Sequence, residues 1–143
     1  MSDERERWRE RQRLAASVHG AAEESRLAAE AEQARALIAD FVREAGERGL
    51  RPSALTAAPY RGGTRYRTRL RGWYLRRDRS VAVGTDGEFY LLTVPASLRS
   101  RVLGAEPRPD RPRLVVGQGA RDGESMPLDR LLRQRLDQGN DWP

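Results

Sequence analysis

The chain has no cysteine, no lysine and a single histidine among its 143 residues. Without cysteine there is no disulfide framework and no thiolate metal cluster, and His19 alone falls short of the several imidazoles a zinc site recruits. No metal and no cofactor are therefore expected. Long apolar runs are also missing. The longest, residues 89–94 with Thr93 inside it, is far below the ~20 residues needed to cross a bilayer. Residues 1–7 are too charged for a secretory leader. These absences predict a small cytoplasmic protein that does not enter a membrane.

What is present is arginine, which supplies all 27 basic residues. Coding drift toward GC explains the choice of base but not its placement. Residues 1–50 hold 9 arginines against 11 acids, whereas residues 51–79 hold 9 arginines against Asp78 alone. The rest of the chain is balanced. One segment thus carries +8 in a chain whose net charge is +6.

Residues 1–48 lack proline and are rich in Ala, Glu and Arg, all strong helix formers. Ser2 suits the start, and Asp3 with Arg7, Glu6 with Arg9 and Glu10 with Arg13 stand at helical contact spacing. Leu27, Ala31, Ala34, Ile38, Phe41 and Ala45 step by three and four, forming one apolar seam. Gly46, Gly49 and Pro52 end the helix, and Gly20 marks a place where it could break. The seam fits two arrangements. It either docks on the chain's own sheet or pairs with a partner helix or a second copy; residues 1–20 are expected to extend beyond the body in both cases.

Beyond a loop around Pro52 and Pro59 the period becomes two, with Arg65, Arg67, Arg69 and Arg71 alternating with Tyr66, Thr68 and Leu70. Residues 81–83 and 89–94, joined by Gly84-Thr85-Asp86-Gly87, read as a hairpin that Pro95 ends. Residues 106–112 read as a loop and 114–116 as a fourth strand. A glycine-rich connection, 117–123, leads to a final helix bearing Leu128, Leu131, Leu132 and Leu136, with Ser125 or Asp129 serving its start and Pro127 in the first turn. The expected fold class is α+β: a long or broken N-terminal helix, a small antiparallel sheet of about four strands, and a C-terminal helix. In domain terms, 1–50 is a charged helical arm, 51–137 a small α+β domain and 138–143 a mobile tail.

The run Gly72-Trp73-Tyr74-Leu75-Arg76-Arg77-Asp78-Arg79-Ser80-Val81-Ala82-Val83-Gly84-Thr85-Asp86-Gly87, continued by Phe89-Tyr90-Leu91-Leu92-Thr93-Val94-Pro95, resembles the central signature of short uncharacterised actinobacterial proteins. Leu114-Val115-Val116-Gly117 and Arg121-Asp122-Gly123-Glu124-Ser125 are similar to it as well, so the resemblance spans about the C-terminal two thirds of the chain. It implies an actinobacterial, cytosolic setting and brings no activity. Trp73-Tyr74-Leu75 also spells the name motif of WYL regulatory domains, which bind nucleic-acid or nucleotide ligands. The arginine-rich continuation of that family is absent, because Arg99 and Arg101 follow Pro95 in another context; membership is not expected.

The candidate site is the strand from Thr64 to Leu75. Alternate residues on a strand lie ~6.6 Å apart, so Arg65, Arg67, Arg69 and Arg71 would form a row of guanidiniums, each able to grip a phosphate with two parallel hydrogen bonds. Arg61, Arg76, Arg77 and Arg79 enlarge the field. Tyr60, Tyr66, Trp73 and Tyr74 are candidate stacking faces for bases, with only one of Trp73 and Tyr74 expected on the arginine side. This pattern predicts a non-enzymatic module that binds RNA, single-stranded DNA or another polyanion. Two other readings of the row stand beside it: contact with an acidic protein partner, or a solvated face neutralised by Glu23, Glu24, Glu30 and Glu32. The rival function is an adaptor or homo-oligomer that uses Leu27, Ala31, Ala34, Ile38, Phe41 and Ala45 as a partner-helix interface. Gly117-Gln118-Gly119 with Gly123 has the wrong spacing for a dinucleotide loop, and Asp122 and Glu124 would repel a pyrophosphate; it reads as a turn and cap. No catalytic residue is expected: His19 lies in a polar stretch, Asp86 and Glu88 flank a turn, Asp78 is a local counter-charge, and Ser80 and Ser125 have no histidine to activate them.

Overall fold

The computed structural model describes residues 2–117 and 125–142. Helix α1 (Ser2–Glu47) is followed by strands β1 (Ser53–Pro59), β2 (Tyr66–Tyr74), β3 (Val81–Gly84), β4 (Phe89–Leu91) and β5 (Thr93–Val94). Then come helix α2 (Leu98–Leu103), strands β6 (Val115–Val116) and β7 (Met126–Pro127), helix α3 (Leu128–Gln138) and a 3-10 turn, Gly139–Asp141. The fold is α+β. No helix among the described residues is long and apolar enough to cross a membrane.

Five strands form one sheet in the order β4-β3-β2-β1-β5. It is mixed rather than antiparallel, because β5 runs parallel to β1. β1 itself corrects the expectation of a loop around Pro52 and Pro59. Thr56 is its only β-branched residue, so propensity gives little sign of a strand; burial of Leu55 and Ala57 holds it in place. The predicted fourth strand joins a separate two-stranded sheet, β6 with β7. Gly72, at the centre of the main sheet, leaves room for its neighbour: a Cβ there would stand 2.1 Å from the Val83 carbonyl oxygen.

α1 passes through Gly20 without a break. At 1.5 Å per residue it is roughly 69 Å long. Its seam is spent inside the molecule: Ala31, Ala34, Ile38, Phe41 and Ala45 are buried, and Leu27 is half-buried at the edge. The partner-helix reading is corrected here, since the sheet and α3 already occupy that face. Phe41 meets Trp73 edge-on with ring centroids 5.6 Å apart, and Leu128, Leu131, Leu132 and Leu136 of α3 complete this layer. Residues 3–22 remain exposed and extend past the body.

The other face of the sheet has its own core of Leu55, Ala57, Tyr66, Tyr74, Ala82, Tyr90, Leu92 and Ala105. Over its described residues, 138–142, the C-terminal segment packs on this side, where a mobile tail was expected for 138–143. Trp142 stacks on Tyr74 at 5.9 Å, and Asn140 accepts from the Arg51 N–H and donates to the Gly49 carbonyl.

Candidate polyanion interface

β2 pairs with β3 only at Gly72, Trp73 and Tyr74. Past that point the Gly104 and Ala105 segment takes the place of β3, with the Ala105 N–H donating to the Arg67 carbonyl at 2.7 Å. Gly104 permits this approach: its φ is +89°, and a Cβ would stand 2.8 Å from the Arg67 oxygen. α2 is thereby set beside β2. Its start is capped by the Ser97 hydroxyl, which accepts from the Ser100 N–H at 2.9 Å. Ser97 is itself held by its N–H donating to the Tyr66 hydroxyl at 3.2 Å.

Arg67, Arg69 and Arg71 are all exposed and alternate with buried or half-buried Tyr66, Thr68 and Leu70. The register with β1 shifts between Ala54 and Thr56, where Arg71 and Arg67 respectively are their partners. The shift is two residues, so the alternation of faces survives it. Between β2 and α2 lies an open cleft of about 640 Å³, bordered by Arg67, Arg69 and Arg99, with Ser100 and, as the single acid among the described residues, Glu106. Arg99 is the site residue that sequence reading did not select. Its only signal is the Pro95 and Ser97 stop and cap ahead of a short helix.

The acids of α1 do not reach this cleft. Glu23 pairs with Arg26, Glu32 with Arg35, and Glu44 with Arg48. Glu24 pairs with Arg111 at 2.7 Å, and Glu30 accepts from the Leu114 N–H at 3.0 Å while lying 3.8 Å from Arg113. The Arg111 guanidinium holds the Glu24 carboxyl below its ordinary value, by hydrogen bonding first and by charge second. Among the described residues Arg67, Arg69, Arg71 and Arg99 form no ion pair with any carboxylate. The Arg71 side chain makes one hydrogen bond among the described residues, Nη2 donating to the Pro52 carbonyl at 3.2 Å.

The other predicted residues go elsewhere. Arg65 precedes the strand and is half-buried: its Nε donates to the Thr56 hydroxyl at 2.6 Å, and its Nη2 to the Thr56 and Arg79 carbonyls at 2.7 and 3.0 Å. It ties a turn rather than extending the row. Arg76 Nη2 donates to the Val116 carbonyl at 3.1 Å, and exposed Arg77 stands in the turn after β2, at the end remote from Arg67. Arg61 is exposed in the turn between β1 and β2 and does not border the cleft.

Three of the four candidate aromatic residues, Tyr66, Trp73 and Tyr74, are buried, which removes them as stacking faces. The Tyr66 hydroxyl holds Ser97, Trp73 Nε1 donates to the Leu50 carbonyl at 3.2 Å, and the Tyr74 hydroxyl accepts from the Thr56 N–H at 2.8 Å. Tyr60 is exposed but lies outside the cleft. His19 is exposed on α1. The glycine-rich connection falls, at 118–124, outside the described residues. Comparison of the chain with protein-family models, with curated proteins and with solved structures finds no match.

Proposed function

We propose that the chain is a non-enzymatic module that binds single-stranded nucleic acid through its phosphates, using Arg67, Arg69 and Arg71 of β2 together with Arg99 of α2. The observation that carries this reading is the exposed arginine row beside a cleft, with no carboxylate paired to any of the four among the described residues. An arginine presents two parallel N–H donors to a phosphate, and each neutralised phosphate releases counterions. With Tyr66, Trp73 and Tyr74 committed to the core, base identity contributes little. Affinity then comes from charge and spacing.

The test is oligonucleotide binding followed by fluorescence anisotropy across a salt series. Four phosphate contacts on a single strand predict a slope of log affinity against log salt of about −3. The R67Q/R69Q/R99Q variant is expected to lose most binding and to flatten the slope while keeping its unfolding midpoint. Equal affinity in wild type and variant would overturn the proposal, as would absence of binding by the folded wild type.

One observation favours a second reading, a protein partner. α2 buries none of its residues, and Leu98, Val102 and Leu103 are 78%, 70% and 72% exposed beside the same cleft. An acidic partner with apolar contacts would suit that patch. Loss of partner capture in L98S/V102S, with oligonucleotide affinity intact, would separate the two.

A further inference from the structure

A second cleft, of about 420 Å³, opens at the Tyr74 end of β2, where the 51–53 segment, Arg79 and the end of α3 meet. Three arginines border it: Arg51, Arg79 and Arg135. Arg135 is the one charged residue buried among the described residues, with 6% of its surface exposed. Its Nε donates to the Tyr74 carbonyl at 2.9 Å and its Nη1 to the Gly139 carbonyl at 2.8 Å. Its guanidinium lies 4.9 Å from the centre of the Trp142 ring, Trp142 stacks on Tyr74, and Arg79 sits 5.7 Å over Tyr74.

These contacts position the cations and leave their charge unanswered. None of the three arginines pairs with a carboxylate among the described residues. Arg135 Nη2 has no hydrogen-bond partner there either. A buried cation is ordinarily matched by an anion, because carbonyl dipoles offset only part of the desolvation cost. Burial accordingly pushes Arg135 below the ordinary arginine value. The cleft falls within the size range of small-ligand sites, ~300–1,000 Å³.

We propose that this cleft binds a phosphate-type dianion, either free phosphate or the terminal phosphate of a mononucleotide, gripped by Arg51, Arg79 and Arg135. Three arginines around one cleft favour a dianion with tetrahedral oxygens over a monoanionic carboxylate, since each cation adds to the same field. The site is separate from the arginine row and does not depend on it. The stacked Tyr74 and Trp142 line the cleft, and Asn140 joins the C-terminal turn to the 49–51 segment beside it.

Isothermal titration of the full chain with inorganic phosphate, adenosine monophosphate and acetate tests this. Saturable phosphate binding is expected, weakened by about tenfold or more in R51Q/R79Q, which leaves packed Arg135 in place, and unchanged in R67Q/R69Q/R99Q. Tighter binding of the mononucleotide than of phosphate identifies a nucleotide as the source; equal or weaker binding identifies free phosphate. No saturable binding at millimolar phosphate overturns the proposal. So does acetate binding as tightly as phosphate, or a loss that follows R67Q/R69Q/R99Q instead of R51Q/R79Q.

Discussion

Tyr90 lies under the turn between β3 and β4, 3% exposed, with its hydroxyl donating to Asp86 Oδ2 at 2.7 Å. Asp86 Oδ1 meanwhile accepts from the Glu88 N–H at 2.9 Å, so a single carboxylate organises both the turn and the tyrosine. Burial first, then the hydrogen bond and charge of Asp86, push the phenol well above its ordinary value. The sign of the linkage follows. Below pH ~10 both folded and unfolded tyrosine are protonated and the contribution is fully present. As pH rises further the unfolded chain loses the proton first, so stability is lost progressively. Urea unfolding of wild type is expected to weaken between neutral pH and about pH 11, and Y90F, costing about 1 kcal/mol at neutral pH, should show a shallower decline. An equal decline in Y90F would contradict this account. Arginine at residue scale is similarly diverse: Arg65 ties a turn, Arg135 is buried, and Arg67 and Arg69 face solvent.

α1 is one element with two energetic halves. From Ala31 onward its seam packs on Trp73 and α3, whereas residues 3–22 bury nothing. Phe41→Ala is expected to lower unfolding free energy by ~3–5 kcal/mol, because it opens a cavity against Trp73. Trp8→Ala, at a residue 58% exposed, should leave the denaturation midpoint within error. A comparable loss from both would mean that the arm packs on the body. The seam was legible in the sequence because steps of three and four select one face of a helix. Which surface that face meets was not, since a periodic stripe states only that something apolar covers it. β1 was less legible still. Ser53-Ala54-Leu55-Thr56-Ala57-Ala58-Pro59 has almost no strand preference of its own, and its partners, Tyr66 to Gly72 on one side and Thr93 and Val94 on the other, come from later in the chain.

Across the whole molecule, charge is sorted into regions. From Glu23 onward the acids of α1 are taken up by arginines of the same helix and by Arg48, Arg111 and Arg113, while the sheet and α2 display cations. Such a field attracts polyanions at long range and is screened by salt. A ligand that binds only the folded chain must also stabilise it, by about 2.7 kcal/mol at a hundred times its dissociation constant. Thermal unfolding with excess oligonucleotide at low salt is expected to show a raised Tm that returns to the free value as salt increases. A Tm that does not move in wild type would count against binding by the folded state.

Composition and local period were enough to determine the α+β class, the long helix with its apolar seam, and a β2 whose arginines share one face. These are properties of neighbours along the chain: helix preference, spacing and alternation act over a few residues. Tertiary structure decided which arginines remain displayed, that Tyr66, Trp73 and Tyr74 are inside, that Arg99 joins the row, and that Arg51, Arg79 and Arg135 share a cleft. Those outcomes depend on contacts between segments tens of residues apart, where packing and hydrogen bonding select among side chains that look alike in sequence.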